Sequence, residues 1–247
     1  MIDFAFLIET FLKLGAALPV TLGLFFSSFL LGAVLALAIL ALRISHHPLL
    51  SGFARLYVLV FRGSPLMIQL FLIYYGLGQF EVVRHSFVWP VLREPFFCAV
   101  VALALCTASY TAEIFRGALL AVPAGQIEAG MACGMSRWLL LRRIIAPVML
   151  RYALPAYSTE AVLLVKSTAL ASLVTVWDVT GVAQQIIQRT YRTMEVFICA
   201  ALIYLILNFI IVQIYAWVER RMSPRLRTAE ADLPLPAPSL IAGEKHD

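Results

Sequence analysis

LGAALPVTLGLFFSSFLLGAVLALAILAL, residues 14–42, carries no Asp, Glu, Lys or Arg over its whole length. A helix rises 1.5 Å per residue, so about 20 apolar residues cross a hydrocarbon core of about 30 Å. The stretch is long enough to span a bilayer, and that reading decides the fold. Runs 63–80, 95–112 and 196–218 share its uncharged character, and 152–177 is apolar apart from Glu160 and Lys166. The expectation is an all-α integral membrane protein with five transmembrane helices.

Composition agrees. The 247 residues are 62% hydrophobic and only 13% charged, with a mean hydropathy of +0.91, well beyond what a water-soluble domain carries. An outer-membrane barrel needs short strands alternating apolar and polar, whereas these runs are continuous and rich in Leu, Ala and Ile. Asp3 and Glu9 stand where a secretory signal has basic residues, and the apolar run continues past Leu40, so the first span is expected to be retained.

Lys and Arg set the expected orientation, because short cytoplasmic loops hold an excess of them. Twelve fall on one side, from Arg43, Arg55 and Arg62 through Arg116, Arg137, Arg142, Arg143 and Arg151 to Arg220, Arg221, Arg225 and Arg227. Lys13, Arg84, Arg93, Arg189 and Arg192 make five on the other, in the N-terminal segment and the expected loops around 79–95 and 178–195. The N-terminus is therefore placed outside and the C-terminus in the cytoplasm. The net charge of +5 is accounted for by topology and calls for no nucleic acid. Cys98, Cys106, Cys133 and Cys199 show no metal-ligand spacing. The membrane domain is read as 1–227, and 228–247, with Pro234, Pro236 and Pro238, as a disordered cytoplasmic tail.

Between the first two spans, Leu49, Leu50, Phe53, Leu56, Tyr57, Val60 and Phe61 recur at three- and four-residue spacings that gather on one helical face. Ser64 and Pro65 then suit the cap and first turn of a new helix. Glu113 and Arg116, three apart at the end of the third span, can pair on the helix surface. The segment EAGMACGMSRWLLLRRIIAP, 128–147, is a basic amphipathic hairpin between two spans. Gly134 supplies the positive φ of a tight turn. Ser136 caps a second short helix, 137–145, expected to stop before Pro147.

The spacing of Glu128, Ala129, Gly134, Ile144 and Pro147 resembles the EAA motif of permease subunits in binding-protein-dependent ABC importers. Gly130 stands where Ala is usual and Ala146 where Leu is usual. FRGSPL (61–66), YTAEIFRG (110–117) and LLVKSTALAS (163–172) are similar to polar amino acid permeases of the histidine, lysine, arginine and opine type. The resemblance implies that the hairpin, about 123–147, is a coupling helix docking on a cytoplasmic ATPase through Glu128, Ala129, Gly134, Ser136 and Arg137. It also implies the partners: a second permease subunit, related or identical, a dimeric ATPase, a periplasmic substrate-binding protein and the lipid of a bacterial inner membrane. No GxxxxGK[ST] loop is present, so this chain is expected to bind no cofactor and to be no enzyme, with ATP and Mg held by the partner ATPase.

Ionised groups inside a membrane are costly unless paired or facing water. Glu160 and Lys166 lie about 240° apart around a helix and do not share a face, so Lys166 needs a partner on another helix or subunit, or a place along the pathway. Glu160 is the candidate for meeting a cationic substrate. Ser109, Gln69 and Asn208 either line the same cavity or bond across helices. Two other classes remain open from the residues alone. An ion channel would show a repeated pore pattern or filter, and an intramembrane hydrolase would need Ser158 or Ser167 as nucleophile with Lys166 as base, although 166 and 167 point about 100° apart.

Overall fold

The structure is a computed structural model describing residues 3–222; the tail read as disordered, 228–247, lies outside the described residues. Helix α1 (Phe4–Ala16) is capped by Asp3, whose carboxylate accepts from the Phe6 amide, and α2 (Leu18–Arg43) starts after Ala17 with a proline in its first turn. Then come α3 (Pro48–Gly63), α4 (Leu66–Phe71), and one-turn helices α5 (Glu81–Arg84) and α6 (Trp89–Leu92). The second half holds α7 (Pro95–Leu120), α8 (Ala124–Ala132), α9 (Arg137–Leu140), α10 (Ala146–Ser167), α11 (Val179–Thr190) and α12 (Thr193–Met222). Among the described residues, Phe4–Arg43, Pro95–Leu120 and Thr193–Met222 are long and apolar enough to cross a membrane, and the count rises to five when each of two bent helix pairs is taken as one span.

The first bend, 105° between α3 and the helix running from Leu66 to Gln79, falls where proline removes a backbone donor. Gln69 holds it: its side-chain amide donates to Phe61 O at 2.9 Å, to Ser64 O at 3.0 Å and to Ser64 Oγ at 2.9 Å. Ser64 does not cap α4 as its spacing suggested. Its hydroxyl turns back and donates to Val60 O at 2.7 Å, and Pro65 takes the cap position.

Helices α2 and α7 form the most extensive packing in the bundle. Small residues allow it, since Ala99, Ala102, Ala104, Ala108 and Ala112 are all buried along α7. A Cβ on Gly32 would sit 2.7 Å from Thr107 Cγ2, so this crossing requires glycine. At one end of α7, Glu113 accepts from Arg116 at 2.7 Å, the expected pair, and also from Arg43 of α2 at 3.3 Å.

The second bend, 50°, separates α11 from the helix that runs from Arg137 to Val174. Beyond α10 the chain tightens into a 3-10 segment, Thr168–Val174, where side chains three apart eclipse. Thr168, Ala171 and Val174 accordingly form its buried stripe. Thr175 takes a left-handed φ of 63° and turns the chain. Asp178, fully buried, then accepts from Gly181 N at 2.8 Å and from Tyr204 Oη at 3.1 Å, while Thr21 Oγ1 accepts from Val179 N at 3.1 Å. The sequence reading made 178–195 a loop. Asp178 instead starts a helix of 12 residues, because the cap and the apolar face toward α1 and α12 outweigh its polar composition.

Arg192 closes this end. It donates to Glu195 at 2.5 and 2.7 Å and to Asp3 at 3.2 Å, and lies 3.9 Å above the Phe6 ring. The Phe6 amide and then Arg192 hold the Asp3 carboxyl below its ordinary value of 3.8. A depressed carboxylate contributes fully above that value and loses its contribution as pH falls below it.

Candidate functional site

Helix α8 ends in a Schellman motif. Met135 N donates to Gly130 O at 3.1 Å and Gly134 N to Met131 O at 2.9 Å, while Gly134 adopts φ +74°. Ser136 begins the next helix by accepting from Leu139 N at 3.4 Å. Gly130 is buried where the two arms cross, and a Cβ there would meet Leu140 Cδ1 at 2.5 Å and Ile144 Cδ1 at 2.9 Å. The glycine at an alanine position thus closes the hairpin more tightly.

The five residues assigned to coupling, Glu128, Ala129, Gly134, Ser136 and Arg137, are all exposed on this hairpin. Trp138 is 70% exposed and Met131 55%, so an apolar patch accompanies the charges. By their three- and four-residue spacings Trp138, Leu141, Ile144 and Ile145 would share one helical face, but Ile144 and Ile145 are half-buried while Trp138 is exposed. A second difference concerns Pro147. The second arm does not stop there: α9 passes through a π-turn, Leu141–Ile145, into α10, and Ala146 N donates to Leu141 O. The wider turn brings Pro147 into the first turn of α10, where its missing donor is tolerated. One continuous helix therefore joins the hairpin to the membrane interior.

Glu160 lies inside the bundle, 8% exposed, where Thr107 Oγ1 of α7 donates to it at 2.7 Å. Thr107 is a partner that sequence spacing could not reveal, 53 residues away. Arg62 stacks 4.9 Å above the Tyr110 ring. Ser109 is fully buried and donates within its own helix to Cys106 O at 2.6 Å. Gln69 ties the α3–α4 bend, and its Oε1 is buried without a partner, as is Asn208 Oδ1. Glu160, Ser109 and Gln69 are not joined to one another by hydrogen bonds. Lys166 is exposed and enters none of the ion pairs among the described residues.

The family of binding-protein-dependent transport system inner membrane components matches residues 28–224. The chain belongs to this family. It is a permease, and its hairpin lies within the matched region. The octopine transport system permease protein OccM of Rhizobium radiobacter is 52% identical, covering 93% of this chain and 96% of that protein. The nopaline transport system permease protein NocM of Agrobacterium fabrum is 47% identical over 91% and 94% of the two chains. The histidine/lysine/arginine/ornithine transport system permease protein HisM of Escherichia coli K12 is 40% identical over 82% and 85%. Among solved structures, the crystal structure of an amino acid ABC transporter with histidines superposes with a TM-score of 0.78 at 31% identity, over 90% of this permease and 99% of that chain. The channel and hydrolase readings are set aside by this match. The permease is the membrane-spanning component of an importer.

Proposed function

We propose that this permease carries polar, cationic amino acids or opines across a bacterial inner membrane, paired with a second permease subunit, fed by a periplasmic binding protein and driven by a dimeric ATPase that holds ATP and Mg. The observation that carries the reading is the hairpin: an exposed, glycine-turned knob with charges and apolar side chains, continuous through α10 with the interior that holds Glu160. A rigid link of this kind transmits motion from a nucleotide-driven partner. The relatives named for octopine, nopaline and histidine/lysine/arginine/ornithine transport support the substrate class. The test is uptake of labelled arginine and octopine, with and without the chain, together with ATP turnover stimulated by the binding protein. Uptake independent of this chain would remove the reading.

The orientation follows the asymmetry of basic residues. A cysteine at Ser136 is expected to label only from the cytoplasm and one at Ser86 only from outside. Labelling of Ser136→Cys from outside intact cells would reverse it.

Glu160 is the group offered to a substrate cation. An ionised carboxylate has capacity for about four acceptor contacts, and here Thr107 supplies its side-chain hydrogen bond. Glu160→Gln keeps the shape and removes the charge, so affinity for a cationic substrate is expected to fall roughly tenfold to hundredfold, the equivalent of about 1.5–3 kcal/mol. A neutral substrate delivered by the same binding protein is expected to change less. Equal loss for both, accompanied by less protein in the membrane, assigns Glu160 to structure alone.

A further inference from the structure

A cavity of about 140 Å³ lies at the end of α10 away from the hairpin, lined by Ser172, Thr175, Trp177, Gln184 and Gln188 among others. Its rim is rich in donors. Glutamine carries two amide donors, and threonine and the indole one each. The Ser172 hydroxyl is spent on Ala169 O at 2.8 Å, and Gln184 Nε2 gives one hydrogen to Ser172 Oγ at 3.4 Å, which leaves its second and the Gln188 amide for a ligand. No acidic side chain lines it, and the nearby Asp178 is turned inward and bonded to Gly181 and Tyr204.

The 3-10 segment connects this cavity to Lys166. Side chains three apart align there, so Ala169 and Ser172 form one partly exposed line beside the buried stripe of Thr168, Ala171 and Val174, and the left-handed Thr175 that ends the segment is exposed. Lys166 stands one turn further back, in the last turn of α10 and outside the cavity's lining, where side chains three apart are about 60° from eclipsed. At about 2 Å per residue it stands roughly 12 Å along the axis from Ser172, and its flexible four-carbon stem shortens the gap. An ammonium on an exposed face within a span requires water, an anionic ligand or an anionic partner, since lipid gives it no counter-charge.

We propose that Lys166 and the Ser172–Trp177–Gln184–Gln188 cavity form a carboxylate-binding station for the transported solute, separate from Glu160. The inference rests on the amino acid and opine reading, because every such solute carries at least one carboxylate. The station takes the anionic end of the solute while Glu160, deeper in the bundle, remains available for a cation.

Thr175→Cys, in a Cys133→Ser background with uptake verified, reports on the cavity in membranes holding the whole transporter. Labelling by an impermeant maleimide is expected to slow about tenfold with saturating arginine or octopine, and to be unaffected by argininamide, which lacks the carboxylate. Lys166→Met is expected to abolish protection and Lys166→Arg to keep it; Gln184→Leu with Gln188→Leu is expected to weaken it severalfold. Equal protection by arginine and argininamide overturns the station, as does full protection in Lys166→Met. If Lys166→Met dissociates the complex while the glutamine variants retain protection, Lys166 pairs with a neighbouring subunit and the station is likewise overturned. Absence of labelling without solute means that another subunit covers this face, with the same consequence. Arginine and octopine uptake is measured in parallel: uptake without protection removes the station alone, whereas no uptake of either removes the transport reading on which it rests.

Discussion

Gly134→Val is expected to reduce uptake at least tenfold while the protein remains inserted in the membrane. Gly134 holds φ +74° at the tip of the hairpin, and nothing lies within 4 Å of where its Cβ would be, so the effect comes from backbone conformation and not from crowding. A β-branched residue in this region is a strong outlier, and a strained backbone position of this kind costs on the order of 1–3 kcal/mol. The Schellman bonds from Met135 and Gly134 would open, and with them the placement of Glu128, Ser136 and Arg137. Gly134→Asn is the companion, because asparagine tolerates the left-handed region, and it is expected to keep most of the uptake. Co-purification of the ATPase is measured on both variants. Wild-type uptake and ATPase association in Gly134→Val would show that the hairpin is not the coupling element.

The second large effect is structural. A Cβ on Gly181 would stand 2.5 Å from Val176 O and 3.3 Å from Asp178 Oδ1, against backbone and against the cap itself. Gly181→Ala therefore forces either the turn at 175–178 or the start of α11 to shift. Overpacking of this kind costs about 1–3 kcal/mol, and a disturbed Asp cap adds about 0.5–2 kcal/mol. Thermal unfolding in detergent is expected at a clearly lower temperature than for wild type. Gly125→Ala is the control, since nothing lies within 4 Å of its Cβ position. A Gly181→Ala protein as stable as wild type would mean that the bend does not depend on this close approach.

Much of the hairpin was legible because its determinants are local. Gly134 and Ser136 act on neighbours within four residues, through a φ angle and a cap that residue type restricts. The interior site was less legible because its determinants are remote. Glu160 could be recognised as an unusual group in an apolar run, but its donor, Thr107, belongs to another helix. Ser109 and Gln69 could be seen as polar residues in spans; their satisfaction by Cys106 O and by the α3–α4 bend depends on how the chain closes. The Gln184 and Gln188 face was hidden for another reason. A polar stretch after a bend reads as a loop unless Asp178 is recognised as a cap, which requires knowing that it is buried beside Tyr204.

The sequence by itself determined the medium, the number of spans and the turn of the hairpin, because hydrophobic length, glycine φ and capping chemistry are carried by the residues and their immediate neighbours. Only the tertiary structure decided where the spans bend, which helix receives Glu160, and that the second arm of the hairpin runs unbroken into α10. The physical reason is that these features rest on side chains meeting across helices: Gly32 against Thr107, Asp178 against Tyr204, Gly130 against Leu140. In an apolar medium almost every such pairing is compatible with the same hydrophobic pattern, and packing alone distinguishes among them.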